Sequence, residues 1–139
     1  MNARLGNASP NRILVVEDDH RNMTLLHDFL QAHGYEILKA SDGLEAINVA
    51  RDQQPDLILM DIRLPKLNGF DATRLLKQDN QTQAIPIIAV TAFATPGDEV
   101  TALESGCAAY IPKPVNVHEL LKIIESFLSV SPPTAGNPQ

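Results

Sequence analysis

Residues whose side chains could together form a reactive site follow short apolar runs at four places in this sequence. The run RILVV is followed by three acidic residues at 17–19, and the run DLILM is followed by Asp61. Thr91 ends the run IPIIAVT, and Lys113 comes two residues after the run AAYI. If the fold brings these carboxylates, this hydroxyl and this amine to one place, they form a set able to bind a divalent cation and to handle a phosphoryl group.

The chemistry of that set depends on its members being close together. Clustered carboxylates repel one another unless they share a cation, and their hard oxygen atoms suit Mg²⁺. A carboxylate such as that of Asp61 can also attack phosphorus and form an aspartyl phosphate. Phosphoryl transfer needs mainly positioning and charge neutralisation, which a metal ion, a lysine and a hydroxyl supply. Taken singly, each of these residues could equally well begin a turn or cap an element.

Five short apolar runs predict the strands that would position these residues. Several are rich in Val and Ile, as is typical of parallel strands buried on both faces. The predicted strands are RILVV (12–16), YEILKA (35–40), DLILM (56–60), IPIIAVT (85–91) and AAYI (108–111).

Helical spacing of apolar residues fills the intervals between the predicted strands. The predicted helices cover residues 20–33, 43–51, a stretch from Gly69, residues 96–105 and a stretch from Val117 after an N-cap at Asn116. Strict alternation of strand and helix predicts an α/β fold. It should have a single five-stranded parallel sheet with right-handed crossovers, and its five helices should cover the two faces of the sheet between them. Ligands of such sheets bind at the carboxyl ends of the strands, so the candidate residues should converge there.

The inward faces of these helices are predicted from the same spacing. Gly34 follows the first helix, where a left-handed C-terminal cap would lie. The residues predicted to face the core are Met23, Leu26, Leu30, Ala46, Val49, Ala50, Ala72, Leu75, Leu76, Val117, Leu120, Leu121, Ile124 and Leu128.

Length and composition limit the classes of protein to which the chain can belong. A chain of 139 residues with 44% apolar residues is expected to form one domain, with flexible tails at 1–10 and 131–139 around a core at 11–130. The net charge of −6 and the lack of a basic cluster argue against a nucleic-acid partner. The single cysteine excludes an intrachain disulfide. No apolar stretch reaches the roughly 20 residues of a membrane span, so we expect a cytoplasmic protein with no membrane partner.

Four motifs resemble the receiver domains of two-component response regulators, the CheY-like superfamily, in order and spacing over about residues 11–130. They are ILVVEDD, LILMDIRLPKLNGF, AVTAFA and AYIPKP. The resemblance implies a flavodoxin-like (βα)5 receiver fold. It also implies that the chain accepts a phosphoryl group on Asp61 from a histidine kinase or phosphotransfer protein. The segments HDFLQAHGYEILKASDG and AVTAFATPGDE are similar, more narrowly, to DivK-type single-domain regulators of bacterial cell division.

The same resemblance implies a role for each residue of the metal site. Asp61 is similar to the phosphoacceptor, Asp18 to a direct Mg²⁺ ligand and Glu17 to a water-mediated one. The backbone carbonyl of Arg63 would complete the protein's share of the coordination. Beyond Mg²⁺-dependent self-phosphorylation and slow autodephosphorylation, no enzymatic activity is implied.

Four further residues resemble the receiver family's switch elements. Thr91 is similar to the hydroxyl that moves onto the phosphoryl group, and Tyr110 to the aromatic residue that changes rotamer with it. Lys113 is similar to the amine that pairs with the phosphate, and the Lys113–Pro114 peptide to a cis bond. The sequence departs from the family mildly, with Leu64 where Met is usual and Asn68 where Asp is frequent.

The chain is then expected to signal by binding a downstream protein effector or kinase, and to be a monomer or a weak homodimer. Three alternatives remain. The chain could be the receiver piece of a hybrid histidine kinase. An aspartyl-nucleophile phosphatase of the haloacid dehalogenase type would need an acid two residues after Asp61, where Arg63 stands. A flavodoxin-like FMN carrier would need a Gly-, Ser- and Thr-rich loop where this chain has EDDHRN.

Two residues are expected to control how long the phosphate lasts. In receivers, the side chains two after the phosphoacceptor and two after the switch threonine flank the approach of the hydrolytic water, and here they are Arg63 and Phe93. Neither can accept the water's proton or orient the water as a carboxylate or an amide would. The aspartyl phosphate is therefore expected to be long-lived. The alternative is that Arg63 contacts the kinase and Phe93 belongs to the partner-binding face.

Overall fold

A computed structural model describes residues 11–92 and 96–128. The predicted tails and Phe93 lie outside these ranges. The strands are β1 (Arg12–Val16), β2 (Glu36–Ala40), β3 (Leu57–Asp61), β4 (Ile87–Thr91) and β5 (Ala109–Pro112). The helices are α1 (His20–Ala32), α2 (Gly43–Gln53), α3 (Gly69–Gln78), α4 (Pro96–Ser105) and α5 (Val117–Leu128). No helix in the described ranges is long and apolar enough to cross a membrane.

The five strands form one parallel sheet in the order β2-β1-β3-β4-β5. The predicted α/β class and five-stranded parallel sheet are confirmed. Strands β3 and β4 are buried along their whole length, because helices cover both faces of the sheet. The strand order reverses at β1, which has β2 on one side and β3 on the other, and this is where such sheets place their ligands.

Two clusters of buried side chains cover the two faces of the sheet. Alternate residues of β1 feed them, since Leu14 and Val16 point into one cluster and Ile13 and Val15 into the other. The first cluster also takes residues from α2, α3 and α4, and the second takes residues from α1 and α5. Three helices therefore pack on one face and two on the other.

Most predicted core positions are buried or pack against the core, but one helix is rotated from its expected orientation. Leu75 was expected to face inward, and this prediction is wrong, since its side chain is 46% exposed. Thr73 is buried instead, beside Ala72 and Leu76. Its hydroxyl lies 3.8 Å from the sulfur of Cys107, a buried partner that no local pattern reveals.

Side-chain caps fix the starts of four helices. Asp19 caps α1 by accepting from the N–H of Arg21 over 2.9 Å, so it serves the helix and is not part of the acidic site. The remaining caps are accepted hydrogen bonds at Asp42 for α2, Asn68 for α3 and Asn116 for α5.

The start of α3 packs directly on the end of β3. The N–H of Gly69 donates to the carbonyl of Ile62 over 3.0 Å. A Cβ atom added at Gly69 would clash with the carbonyl oxygen of Asp61 and lie 2.8 Å from the Cα of Ile62. Only glycine allows this close approach, so the start of α3 is in direct contact with the backbone of Asp61.

Replacing Gly69 by alanine should destabilise the fold by about 2–3 kcal/mol, because backbone on both sides must move to admit the methyl group. Gly34→Ala is the matched control. Its φ of +94° disfavours alanine, but nothing lies within 4 Å, so the loss should be only about 1 kcal/mol. Urea denaturation followed by circular dichroism measures both. Equal losses would show that the contact between Gly69 and β3 is not tight.

Candidate functional site

The carboxyl ends of the strands bring the predicted residues to one edge of the sheet. Glu17 and Asp18 follow β1, Asp61 ends β3, Thr91 ends β4 and Lys113 follows β5. Parallel pairing aligns these ends, with Asp61 opposite Val90 on β4 and Thr91 opposite Pro112 on β5. Residues spread over nearly a hundred positions of sequence therefore meet in one small region.

The ammonium group of Lys113 lies at the centre of this region. It donates to Glu17 Oε1 over 2.6 Å and to Asp61 Oδ2 over 3.1 Å. Both carboxylates are almost completely buried, with Glu17 3% and Asp61 5% exposed. Since buried charges are costly unless they are paired, Lys113 is what makes these two buried acids tolerable.

A backbone N–H group holds the second oxygen of each buried carboxylate. Asp61 Oδ1 accepts from the N–H of Arg63 over 3.0 Å, and Glu17 Oε2 accepts from the N–H of Asp19 over 3.1 Å. Each acid is thus fixed on one side by Lys113 and on the other by the chain two residues further on. Neither side chain can move without breaking one of these hydrogen bonds.

Burial and charge act in opposite directions on the protonation of this cluster. Burial raises the pKa of Glu17, and the nearby charge of Asp61 raises it further, while the hydrogen bond from Lys113 lowers it without cancelling the shift. Burial lowers the pKa of Lys113. The hydrogen bonds and charges of Glu17 and Asp61 outweigh that effect, so the pKa of Lys113 is raised overall. The ammonium form of Lys113 is therefore favoured.

Three carboxylates in this region could hold a metal ion. Glu17, Asp18 and Asp61 each offer one oxygen atom, and these atoms lie within 4.8 Å of one another. One ammonium group cannot balance three carboxylates, so the cluster favours an additional cation. Mg²⁺ takes one or two carboxylates and keeps several waters, and Asp18 is exposed, so water can reach the site. The donor set fits Mg²⁺.

The two predicted switch side chains lie close to this edge. The hydroxyl of Thr91 donates to the carbonyl oxygen of Ala92 over 2.9 Å. The hydroxyl of Tyr110 is buried and has no hydrogen-bond partner within residues 11–92 and 96–128. The peptide between Lys113 and Pro114 is cis. The hydroxyl of Thr91 is thus satisfied locally, whereas that of Tyr110 has no partner among the described residues.

Arg63 pairs with a residue that the sequence patterns did not single out. Its guanidinium Nη2 donates to Asp98 Oδ2 over 3.0 Å. Asp98 lies in the first turn of α4, next to Glu99. Nothing in the sequence distinguishes these two neighbouring acids, because the distinction depends on where α4 lies relative to the loop after β3.

An apolar groove of about 600 Å³ lies next to Lys113, between α1 and the segment after β5. Helical spacing assigned one face of α1 to the core but did not reveal this second apolar surface, to which the exposed Leu25 belongs. The apolar residues that line the groove are Leu25, Leu26, Phe29, Ala92, Pro114, Val115 and Val117.

Residues 13–125 match the model of the response regulator receiver domain. The chain belongs to this family. The polar-differentiation response regulator DivK of Brucella anthropi is 47% identical over 119 residues, which are 86% of this chain and 97% of that protein. DivK of Brucella ovis is also 47% identical, over 116 residues that cover 84% of this chain and 94% of that protein.

A solved receiver domain supports the metal assignment. It belongs to a sensor histidine kinase of Pseudomonas aeruginosa PAO1 and has a magnesium ion coordinated in its active site cleft. It is 38% identical, with a TM-score of 0.81, and the match covers 86% of this receiver and 98% of that chain. The BeF3-activated receiver of Klebsiella pneumoniae RstA is 31% identical, with a TM-score of 0.79 over 85% of this receiver and 98% of that chain.

These similarities confirm several of the predictions made from sequence. The chain is a DivK-like receiver of a two-component system with the flavodoxin-like fold, and it is not a conventional enzyme. Receivers interact with histidine kinases and with downstream effectors. Mg²⁺ is the cofactor that both the solved receiver and the acidic cluster of this chain indicate.

Mg²⁺ should raise the thermal midpoint of this receiver, because an ion that binds only the folded chain stabilises it by mass action. At ten times its Kd, the gain is about 1.4 kcal/mol, or several degrees for a domain of this size. Asp18→Asn should remove most of this gain. Asp28→Asn, which neutralises an exposed acid of α1 outside the cluster, should leave it unchanged. Thermal denaturation with and without Mg²⁺ measures both, and a full gain in Asp18→Asn would exclude this site.

Proposed function

We propose that this receiver accepts a phosphoryl group on Asp61 from a phosphohistidine of a histidine kinase or phosphotransfer protein. It then signals by a change in the proteins that it binds. The observation that carries the proposal is the environment of Asp61. This buried carboxylate accepts hydrogen bonds from Lys113 and from the Arg63 N–H, beside two further acids that fit Mg²⁺.

Asp61 supplies the nucleophile for the transfer. As one of its oxygens bonds to phosphorus, the bond from phosphorus to the donor's imidazole nitrogen breaks, and that nitrogen keeps the electron pair. Lys113, 3.1 Å from Asp61 Oδ2, places a positive charge beside the incoming phosphoryl oxygens. Mg²⁺ bound by Glu17, Asp18, Asp61 and the carbonyl of Arg63 would supply further positive charge to the same oxygens.

The switch residues respond to the new charge. Lys113 has its ammonium shared between Glu17 and Asp61 and can pair with the phosphoryl group without leaving the region. The hydroxyl of Thr91 exchanges its bond to the Ala92 carbonyl for one to a phosphoryl oxygen. Tyr110 then changes rotamer, and the surface formed by α4, β5 and α5 reports the state to an effector protein.

The groove beside Lys113 supports a protein as the phosphoryl donor. A small donor needs only the polar site, whereas a protein donor needs apolar surface next to it, and the groove between α1 and the segment after β5 supplies that surface. Since such donors carry their phosphohistidine in the cytoplasm, we place the receiver there too. A monomer or weak homodimer is compatible with this arrangement.

A hybrid histidine kinase is the second candidate context. It is favoured by the Pseudomonas aeruginosa neighbour, which is the receiver domain of a sensor histidine kinase. The higher identity to DivK over nearly the whole of that protein favours the first context. A phosphatase of the haloacid dehalogenase type is disfavoured, because Arg63 occupies the general-acid position and its guanidinium is bonded to Asp98.

Asp61→Asn should abolish phosphoryl uptake from acetyl phosphate in the presence of Mg²⁺, because an amide is a far poorer nucleophile than a carboxylate. Asp52→Asn, at an exposed position of α2, is the control and should be labelled like the wild type. Intact mass spectrometry counts the phosphoryl groups. A labelled Asn variant would show that Asp61 is not the acceptor.

The combined variant Arg63→Asn and Phe93→Glu should lose its phosphate about ten- to a hundredfold faster than the wild type. Both new side chains can orient a water for attack on phosphorus, an effect typical of one well-placed group. Phosphate release is followed after the donor is removed, with no kinase present. The same rate in both proteins would mean that these positions do not control the water, in agreement with a role in partner binding.

A further inference from the structure

The ion pair between Arg63 and Asp98 joins the phosphoacceptor loop to the first turn of α4. The guanidinium of Arg63 is 3.0 Å from Asp98 Oδ2. The backbone N–H of the same residue is 3.0 Å from Asp61 Oδ1. Arg63 therefore contacts the phosphoacceptor through its main chain and α4 through its side chain.

A phosphoryl group on Asp61 would compete with Asp98 for the guanidinium. From the N–H contact, the Cα of Arg63 lies within about 4.5 Å of Asp61 Oδ1, a distance that an arginine side chain can span. A phosphoryl group carries up to about two negative charges and three acceptor oxygens. A guanidinium can bind two of these oxygens at once. The side chain of Arg63 is 52% exposed, so it is free to turn.

Few buried side chains hold α4 in place. Of its ten residues, only Ala102 and Ser105 are buried, while Val100 and Leu103 are about half exposed. Elements with so little buried surface have low local stability. A single ion pair at the first turn can therefore make a measurable difference to the position of α4.

Tyr110 lies on β5, against which α4 packs. Its hydroxyl is buried without a hydrogen-bond partner in the described part of the chain. Burial raises the pKa of Tyr110, and the charges of Asp98 and Glu99 raise it further, while the charge of Arg63 lowers it.

We propose that Asp98 is a positioning residue that holds Arg63 on α4 until a phosphoryl group on Asp61 draws the guanidinium away. This inference rests on the proposed function, since it requires phosphorylation of Asp61. The competition is reciprocal. If the phosphoryl group weakens the ion pair, then loss of the ion pair must tighten the binding of a phosphoryl-like group, provided that Arg63 is present.

Beryllofluoride is a suitable probe, since it activates the Klebsiella receiver of the same fold. We would titrate it at a fixed, saturating concentration of Mg²⁺ and follow the amide exchange of residues 96–105 by mass spectrometry. Asp98→Asn should bind beryllofluoride about three- to fivefold more tightly than the wild type. This ratio of dissociation constants corresponds to the free energy of one partly exposed ion pair. In a protein that already carries Arg63→Gln, adding Asp98→Asn should not change the affinity for beryllofluoride.

Glu99→Gln is the matched control, because it removes the same charge from the same turn of α4. It should change the affinity by less than about 1.5-fold, since the charge of an exposed acid is screened by salt. Equal shifts in Asp98→Asn and Glu99→Gln would overturn the inference in favour of a general charge effect. Tightening that persists without Arg63 would also overturn it.

Failure of the proposed function has a different signature. A wild-type chain that shows no response to beryllofluoride and takes up no phosphoryl group from acetyl phosphate would overturn both proposals. A wild-type chain that responds, with Asp98→Asn unchanged, would overturn only the role of Asp98.

Discussion

The ammonium group of Lys113 is the interaction on which the site depends, because two buried carboxylates share it. Glu17 and Asp61 lie 96 and 52 residues away in sequence, so only the tertiary fold can supply the pairing. Strand β4 lies between β5 and β3, and Lys113 must cross its end to reach Asp61.

The same cluster has more negative charge than the chain alone can balance. Lys113 offsets one charge among Glu17, Asp18 and Asp61, and the raised pKa of Glu17 reflects its burial near another acid. Such an arrangement costs stability that a core of apolar residues would provide, as is common at functional sites. A divalent cation corrects the imbalance and also offsets the further negative charge that a phosphoryl group brings, so the resting charge of the cluster favours binding of the metal ion.

The fold and the convergence of the site could be predicted because they follow from short-range patterns. Parallel strands align their carboxyl ends, so residues after successive apolar runs meet regardless of the loops between them. The rotation of a helix about its own axis is set by its packing partners, so Thr73 took the buried position expected of Leu75. Asp98 could not be predicted at all, because its pairing with Arg63 depends on the position of α4.

The loop after β3 is held more tightly on the side of α2 than on the side of α4. A displacement that starts at Asp61 should therefore have a preferred direction. Toward α2, the loop is packed against Gly43, where an added Cβ would clash with the Leu67 carbonyl, and Lys66 lies 3.5 Å from Asp42. Backbone packed this closely resists movement, because protein interiors have almost no free volume. Toward α4, the loop is joined by the ion pair between Asp98 and the half-exposed side chain of Arg63. A change at the phosphoacceptor should therefore displace α4 more easily than α2.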